Sequence, residues 1–154
     1  MPTEIERKFL VKNDAWRKLA PGTFYCQGYI YSEKGKTVRI RIIGEQGYLT
    51  IKGPSVNIAR KEFEYPIPLE DAQEMLDSLC NRPLIEKTRY KINYGGLVWE
   101  VDEFSGENQG LIVAEVELDQ ANQVITLPDW IGVEVSQDPR YFNSNLAKHP
   151  YSKW

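Results

Sequence analysis

Glu4-Ile5-Glu6-Arg7-Lys8-Phe9 alternates charged and apolar side chains from the fourth residue of the chain. Successive side chains of a strand point to opposite faces. The stretch therefore sets Glu4, Glu6 and Lys8 on one face and Ile5 and Phe9 on the other, with Arg7 the exception. The same alternation recurs along the chain. Arg39 and Arg41 share a face against Val38, Ile40 and Ile42, and Lys52 follows on the next run. Glu62 and Glu64 oppose Phe63 and Tyr65. Lys87, Arg89 and Lys91 alternate with Thr88, Tyr90 and Ile92. Glu100 and Asp102 alternate with Trp99 and Val101, and Glu115 and Glu117 with Val116 and Leu118. A wet sheet face explains any single pair. It does not explain a series in which each pair carries one sign, because like charges set side by side destabilise a sheet. Acid pairs call for a divalent cation between them, and basic pairs for a polyanion.

The candidate acids Glu4, Glu6, Glu62, Glu64, Glu100, Asp102, Glu115 and Glu117 outnumber the candidate bases Lys8, Arg39, Arg41, Lys52, Lys87 and Arg89 by about two. One or two Mg²⁺ ions would bring such a lining to neutrality or beyond, ready for a highly charged anion. Oxygen-only acidic ligands suit Mg²⁺ or Mn²⁺ rather than zinc. Arginine forks match phosphate oxygens in bidentate fashion. Metal plus several Arg and Lys is the recurring equipment of phosphoryl transfer. The sequence has no GxxxxGK[ST], so the chemistry is not that of a P-loop. Gly44 to Gly47 reads as a hairpin turn instead.

Most of the chain reads as strands: Glu4 to Val11, Phe24 to Ser32, Thr37 to Ile43, Tyr48 to Lys52, Arg60 to Ile67, Thr88 to Tyr94, Leu97 to Phe104, Leu111 to Leu118, and a last run at Ile131 to Val135. Counted as about eight strands with short turns, these favour an antiparallel barrel or sandwich. Closing the sheet with its charges inward would make a polar tunnel, with apolar outer faces needing cover from helices or a partner subunit. Asn13 to Leu19 reads as a short helix capped by Asn13. Pro68 to Leu79 has helical apolar spacing at Leu69, Ala72, Leu76 and Leu79. Arg140 to Ala147 is a third helical segment.

The bulk numbers fit one domain over residues 1–154, with 42% hydrophobic and 27% charged residues. A net charge of -3 gives no pointer to nucleic acid or membrane. No apolar run reaches the roughly 20 residues of a membrane span, and the charged opening Met1-Pro2-Thr3-Glu4 is no signal peptide. Cys26 and Cys80 read as reduced thiols of a cytoplasmic protein. The single histidine, His149, rules against a His-rich metal site or a Ser-His-Asp triad.

These residues resemble the CYTH proteins, the triphosphate tunnel metalloenzymes. Glu4-x-Glu6-x-Lys8 looks like their ExExK signature. The likeness continues through Gln27-Gly28-Tyr29, Arg39-Ile40-Arg41, Lys52, Glu62-Phe63-Glu64, Lys87-Thr88-Arg89, Glu100-x-Asp102, Glu115-Val116-Glu117 and the tail from Asp138 to Leu146. The resemblance implies a mainly β (α+β) fold, an eight-stranded antiparallel β-barrel tunnel with a charged interior and flanking helices. It implies that Glu4, Glu6, Asp102, Glu115 and Glu117 bind Mg²⁺ or Mn²⁺. Lys8, Arg39, Arg41, Lys52, Lys87 and Arg89 would grip a small-molecule triphosphate, and Glu62 and Glu64 would position water. Tyr29 would assist proton transfer, although a tyrosine pKa of roughly 10 suits that role only beside cations. The implied activity is hydrolysis of inorganic triphosphate to diphosphate and phosphate. Cyclisation of ATP, hydrolysis of a nucleoside or thiamine triphosphate, and sensing of polyphosphate or nucleotide without turnover remain open on the same lining. The apolar outer faces leave room for a homodimer.

Overall fold

The computed structural model describes residues 3–154; Met1 and Pro2, the first residues of the charged opening, lie outside the described residues. The strands are β1 (Thr3–Val11), β2 (Gly22–Glu33), β3 (Lys36–Ile43), β4 (Gln46–Lys52), β5 (Ala59–Ile67), β6 (Ile85–Tyr94), β7 (Leu97–Phe104), β8 (Ile112–Glu117) and β9 (Ile131–Glu134). The β3–β4 and β6–β7 hairpins turn at Gly44 and at Gly95-Gly96, each with positive φ, the backbone region that glycine enters without a Cβ penalty. Every run expected to be extended is a strand.

The expected eight-stranded closed barrel is corrected. The sheet has nine strands in the order β5-β4-β3-β2-β6-β7-β8-β1-β9. Strand β5 divides its length: Ala59, Arg60 and Lys61 pair with β1, whereas Glu62 to Ile67 pair with β4. Its contact with β1 therefore ends at Ile5. Further along the same edge of β1, β9 pairs with Phe9 and Val11 across a register shift. The sheet curls strongly, but its two ends do not zip together along their length. Which strand takes a free edge is a tertiary matter that alternation within β9 cannot specify.

The inward charges displace the apolar core to the outer surface. Phe9, Trp99, Val101, Ala114 and Val116 face outward and are covered by Trp16, Trp130 and Ile131. The rings of Phe9 and Trp99 lie 5.7 Å apart, and Trp99 meets Trp130 edge-on at 6.1 Å. Ile40 and its neighbours on β3 and β4 are covered by the helix α1 (Leu69–Ser78), which buries Ala72 and Leu76. A third cluster lies at one end of the inner face. There Tyr29, Ile85, Phe104 and Val113 are closed over by Tyr141, Leu146 and Ala147.

The short helix after Asn13 is a 3₁₀ turn (Ala15–Lys18); the Asn13 side chain accepts from the Ala15 N–H rather than capping a longer helix. The C-terminal segment breaks at Phe142 into a 3₁₀ turn (Pro139–Tyr141) and the helix α2 (Asn143–Lys148). Cys26 and Cys80 are free thiols. No helix among the described residues is long and apolar enough to cross a membrane.

Helix α1 can approach because β4 carries glycine beneath it. A Cβ on Gly47 would stand 2.6 Å from the Ala72 Cβ. Gly47→Ala should therefore lift the helix and destabilise the fold by about 1–3 kcal/mol, read as a lower urea midpoint with an unchanged slope.

Candidate active site

The inner face holds a cavity of about 230 Å³. Alternation along the strands delivers its lining: Glu4, Glu6 and Lys8 from β1, Tyr29 from β2, Arg39 and Arg41 from β3, Lys52 from β4. Strand β5 adds Glu62 and Glu64, β6 adds Lys87 and Arg89, and β8 adds Glu115 and Glu117. Asp102 stands apart. It lies behind the wall, fully buried, with its carboxylate taken by Arg89 Nε at 2.7 Å and Lys87 Nζ at 2.8 Å. Lys91 points to solvent.

Signs that segregate along each strand interleave across strands. Lys52 sits beside Glu62 in the register and bridges it at 3.2 Å while holding Glu4 at 2.8 Å. Lys8 lies beside Glu115, 3.4 Å away. Arg39 reaches Glu64 at 3.3 Å, and the Thr50 hydroxyl donates to the same carboxylate. Arg89 also reaches Glu100 at 3.3 Å. Like charges meet at two register pairs, Glu6 with Glu117 and Glu100 with Glu115. The acids thus gather on β1, β8 and β7, and Arg39, Arg41, Lys87 and Arg89 on β3 and β6, around one space.

The imbalance is concentrated in two side chains. Glu6 has no Lys or Arg ion-paired to it among the described residues, and burial, reinforced by Glu115 and Glu4, pushes its carboxyl up to about 8. Glu117 is raised by burial and by Glu4, Glu62 and Glu100. In contrast, burial would raise Glu4 and Glu115, but Lys52 outweighs it at Glu4, and Lys8, Arg89 and Lys87 outweigh it at Glu115, so both are held below the usual carboxylate range. The counterpart of Glu6 is Arg41. This buried guanidinium is ion-paired to no carboxylate among the described residues; its Nε donates to Gln27 Oε1 at 2.8 Å. Burial and the neighbouring Arg39 and Arg89 push it down to about 9. Burial likewise lowers Lys87 to about 7, against the pull of Asp102. Among the described residues the cavity wall thus carries a carboxyl with no ion-paired cation, Glu6, and a buried guanidinium with no ion-paired carboxylate, Arg41.

Among the described residues no group of three or more acidic, His or Cys side chains is gathered as a ready-made ion cage. The chemistry of the donors nonetheless fits a hard divalent cation: burial, Glu115 and Glu4 outweigh the pull of Lys8 and Lys52 on the Glu6 carboxyl, neither lysine is ion-paired to it, and every acid around it supplies oxygen only.

Residues 2–151 match the CYTH domain. The chain belongs to the CYTH family. It is 54% identical over 154 residues to an inorganic triphosphatase of Acetivibrio thermocellus, covering 100% of this chain and 99% of that one. It is 35% identical over 151 residues to an inorganic triphosphatase of Nitrosomonas europaea, covering 94% of this chain and 97% of the other. A crystal structure of an inorganic triphosphatase superposes with a TM-score of 0.65 at 31% identity, covering 93% of this chain and 96% of that one.

The CYTH cavity also has walls that the strand pattern left unassigned. Arg60 continues the inward series of Glu62, and the same alternation reaches Gln27, which continues the series of Tyr29 but is fully buried behind the lining. Arg60 lines the cavity while donating to the Gly53 and Gly35 carbonyls. Asn143 and Ser144 come from the first turn of α2, and no periodicity points to them. The Asn143 side chain accepts from Lys87 Nζ at 2.9 Å and Gln27 Nε2 at 3.3 Å. Arg140 pairs instead with Asp138 on the surface, and Lys148 donates to the Ser32 carbonyl.

Asp102→Asn should leave Lys87 and Arg89 buried without their shared anion. The expected result is a loss of about 3–5 kcal/mol in unfolding free energy, measured by urea denaturation followed by tryptophan fluorescence.

Proposed function

We propose that this CYTH protein hydrolyses inorganic triphosphate to diphosphate and phosphate, with Mg²⁺ or Mn²⁺ as its cation. The observation that carries this reading is the pairing of a carboxyl without a cation, Glu6, and a guanidinium without a carboxylate, Arg41, on the walls of one cavity. The two inorganic triphosphatases it resembles across nearly their whole length support the substrate.

Arg39, Arg41, Lys87 and Arg89 hold the phosphate oxygens, and Lys8 and Lys52 take oxygens nearer the acids. Lys8 stands at the boundary between the patches, its ammonium on Glu115 and on the Tyr141 carbonyl at 3.2 Å. Glu4, Glu6, Glu115 and Glu117 would hold the cation, which when bound neutralises phosphate oxygens and activates water. Glu62 and Glu64, fixed by Lys52 and Arg39, orient the attacking water. Tyr29, beside Arg39 in the register, assists proton transfer. Water attacks the terminal phosphorus, the bond to the bridging oxygen breaks, and diphosphate leaves. Asp102 serves here as the anchor of Lys87 and Arg89 in place of the metal-ligand role that the resemblance implied.

A malachite-green assay of triphosphate, ATP and thiamine triphosphate with Mg²⁺ or Mn²⁺ tests the reading. Phosphate should appear fastest from triphosphate and stop with EDTA. Formation of cyclic AMP from ATP without triphosphate turnover would overturn it.

Glu6→Gln removes a ligand and at the same time a buried like-charge contact. It should cut metal-dependent phosphate release by at least roughly 10²-fold while leaving the thermal midpoint equal to or above that of the wild type. A fall in midpoint with activity retained would assign Glu6 a structural role.

A further inference from the structure

Arg41 is held by an amide, although a carboxylate at the same place would hold it more strongly. A guanidinium can only donate, so Gln27 must turn its Oε1 toward Arg41 Nε, at 2.8 Å. Its amide nitrogen then needs an acceptor, and Asn143 Oδ1 lies 3.3 Å away. The same oxygen accepts from Lys87 Nζ at 2.9 Å, another group that can only donate. The amide orientations follow from the two cations at the ends of this chain, and no other assignment satisfies both. Gln27 is fully buried on β2, directly beside Arg41 in the register.

The link from Arg41 to Lys87 therefore runs through two neutral side chains. Lys52, Arg39 and Arg89 rest instead on carboxylates, Lys52 on Glu4 and Glu62, Arg39 on Glu64 and Arg89 on Asp102, while Arg60 at the cavity wall donates to backbone carbonyls. A buried ion pair would bind Arg41 firmly and cancel its charge. An amide fixes the direction of the guanidinium and leaves the charge uncancelled.

We infer that Gln27 is a positioning residue that keeps Arg41 electrostatically free for the anion, and that its neutrality sets the affinity for substrate. This rests on the triphosphatase reading for the identity of the anion. The Arg41 guanidinium is aimed by Gln27 and its net charge is neutralised only when the anion arrives. Asn143, at the start of α2, fixes the Gln27 amide and so ties the C-terminal segment to the same cation.

The experiment is a double-mutant cycle of Gln27→Glu and Arg41→Ala, read in steady-state hydrolysis and in calorimetric titration with sodium tripolyphosphate with and without Mg²⁺. Wild-type turnover tests the function separately. The ratio of variant to wild type, in binding as well as in rate, tests Gln27. Gln27→Glu should raise KM for triphosphate at least tenfold with a smaller effect on kcat, and its thermal midpoint should hold or rise because Arg41 gains an internal partner. In an Arg41→Ala background the same substitution should change affinity no further than the added negative charge does at a distance, so the two losses should be strongly non-additive. Wild-type affinity in Gln27→Glu, or losses that simply add, would overturn the inference. Should Gln27→Glu fail to fold, Gln27→Met carries the same cycle. Loss of the acceptor must weaken tripolyphosphate binding when Arg41 is present and be silent when it is absent, and an equal effect in both backgrounds would overturn the inference.

Discussion

Asp102 is the fixed point of the charged cavity. Its carboxylate, shielded from water, takes Lys87 at 2.8 Å and Arg89 at 2.7 Å. Burial alone would push that carboxyl up, but Arg89 and Lys87 outweigh burial and hold it below the usual range. One anion shared by two cations leaves the neighbourhood positive, and Arg41 adds a third positive group to it. The opposite deficit stands on β1 and β8, where Glu6 faces Glu117 in the register. The remaining ion pairs stitch these regions together without cancelling either. Buried charge of this kind does not stabilise a fold on balance; it persists because β6 and β7 are held rigidly by packing elsewhere.

That packing lies on the other side of the sheet. Trp99 and Val101 flank Glu100 and Asp102 in sequence and point the opposite way, into the cluster closed by Trp16 and Trp130. On β3, β7 and β8 an apolar side chain thus lies between consecutive inward residues: Ile40 between Arg39 and Arg41, Val101 between Glu100 and Asp102, and Val116 between Glu115 and Glu117. Burying a large aromatic such as Trp99 is worth about 1.5–3 kcal/mol or more, enough to offset part of the cost of holding charged neighbours out of water. At one end of the inner surface Tyr141, Leu146 and Ala147 cover Ile85, Phe104 and Val113, and the same C-terminal segment brings Asn143 to Lys87.

Alternation made the wall legible. Period-2 charge placement on β1, β3, β5, β6, β7 and β8 assigned the inward faces before any contact was known, because a strand has only two faces and the apolar set must pack. What alternation cannot supply is depth and edge. Asp102 and Glu100 share a face, yet one is sealed behind the wall and the other lines the cavity, a difference set by where Arg89 reaches. Gln27 fell on an inward position but carries no charge, so a search for charged pairs passes over it. Asn143 follows a break in the helix at Phe142, and its meeting with Gln27 spans 116 residues of sequence. Closure of the sheet is beyond alternation for the same reason: pairing of β5 with β1 for three residues, and of β9 beyond them, depends on how far each strand bends.

A sheet that stops short of closing keeps strand edges with unspent backbone hydrogen bonds, and such edges invite pairing with another chain. Both ends of this sheet carry features that discourage it. Strand β9 offers only Ile131–Glu134, and Glu134 is drawn sideways into a bidentate pair with Arg7 at 2.7 and 3.0 Å. Strand β5 carries Lys61, Glu62 and Glu64 along its length and Pro66 near its end, where the missing N–H cannot seed a further ladder. The charges of Glu62 and Glu64 thus act twice. Toward the cavity they hold Lys52 and Arg39, and along the open edge they make the protein a poor template for its own aggregation.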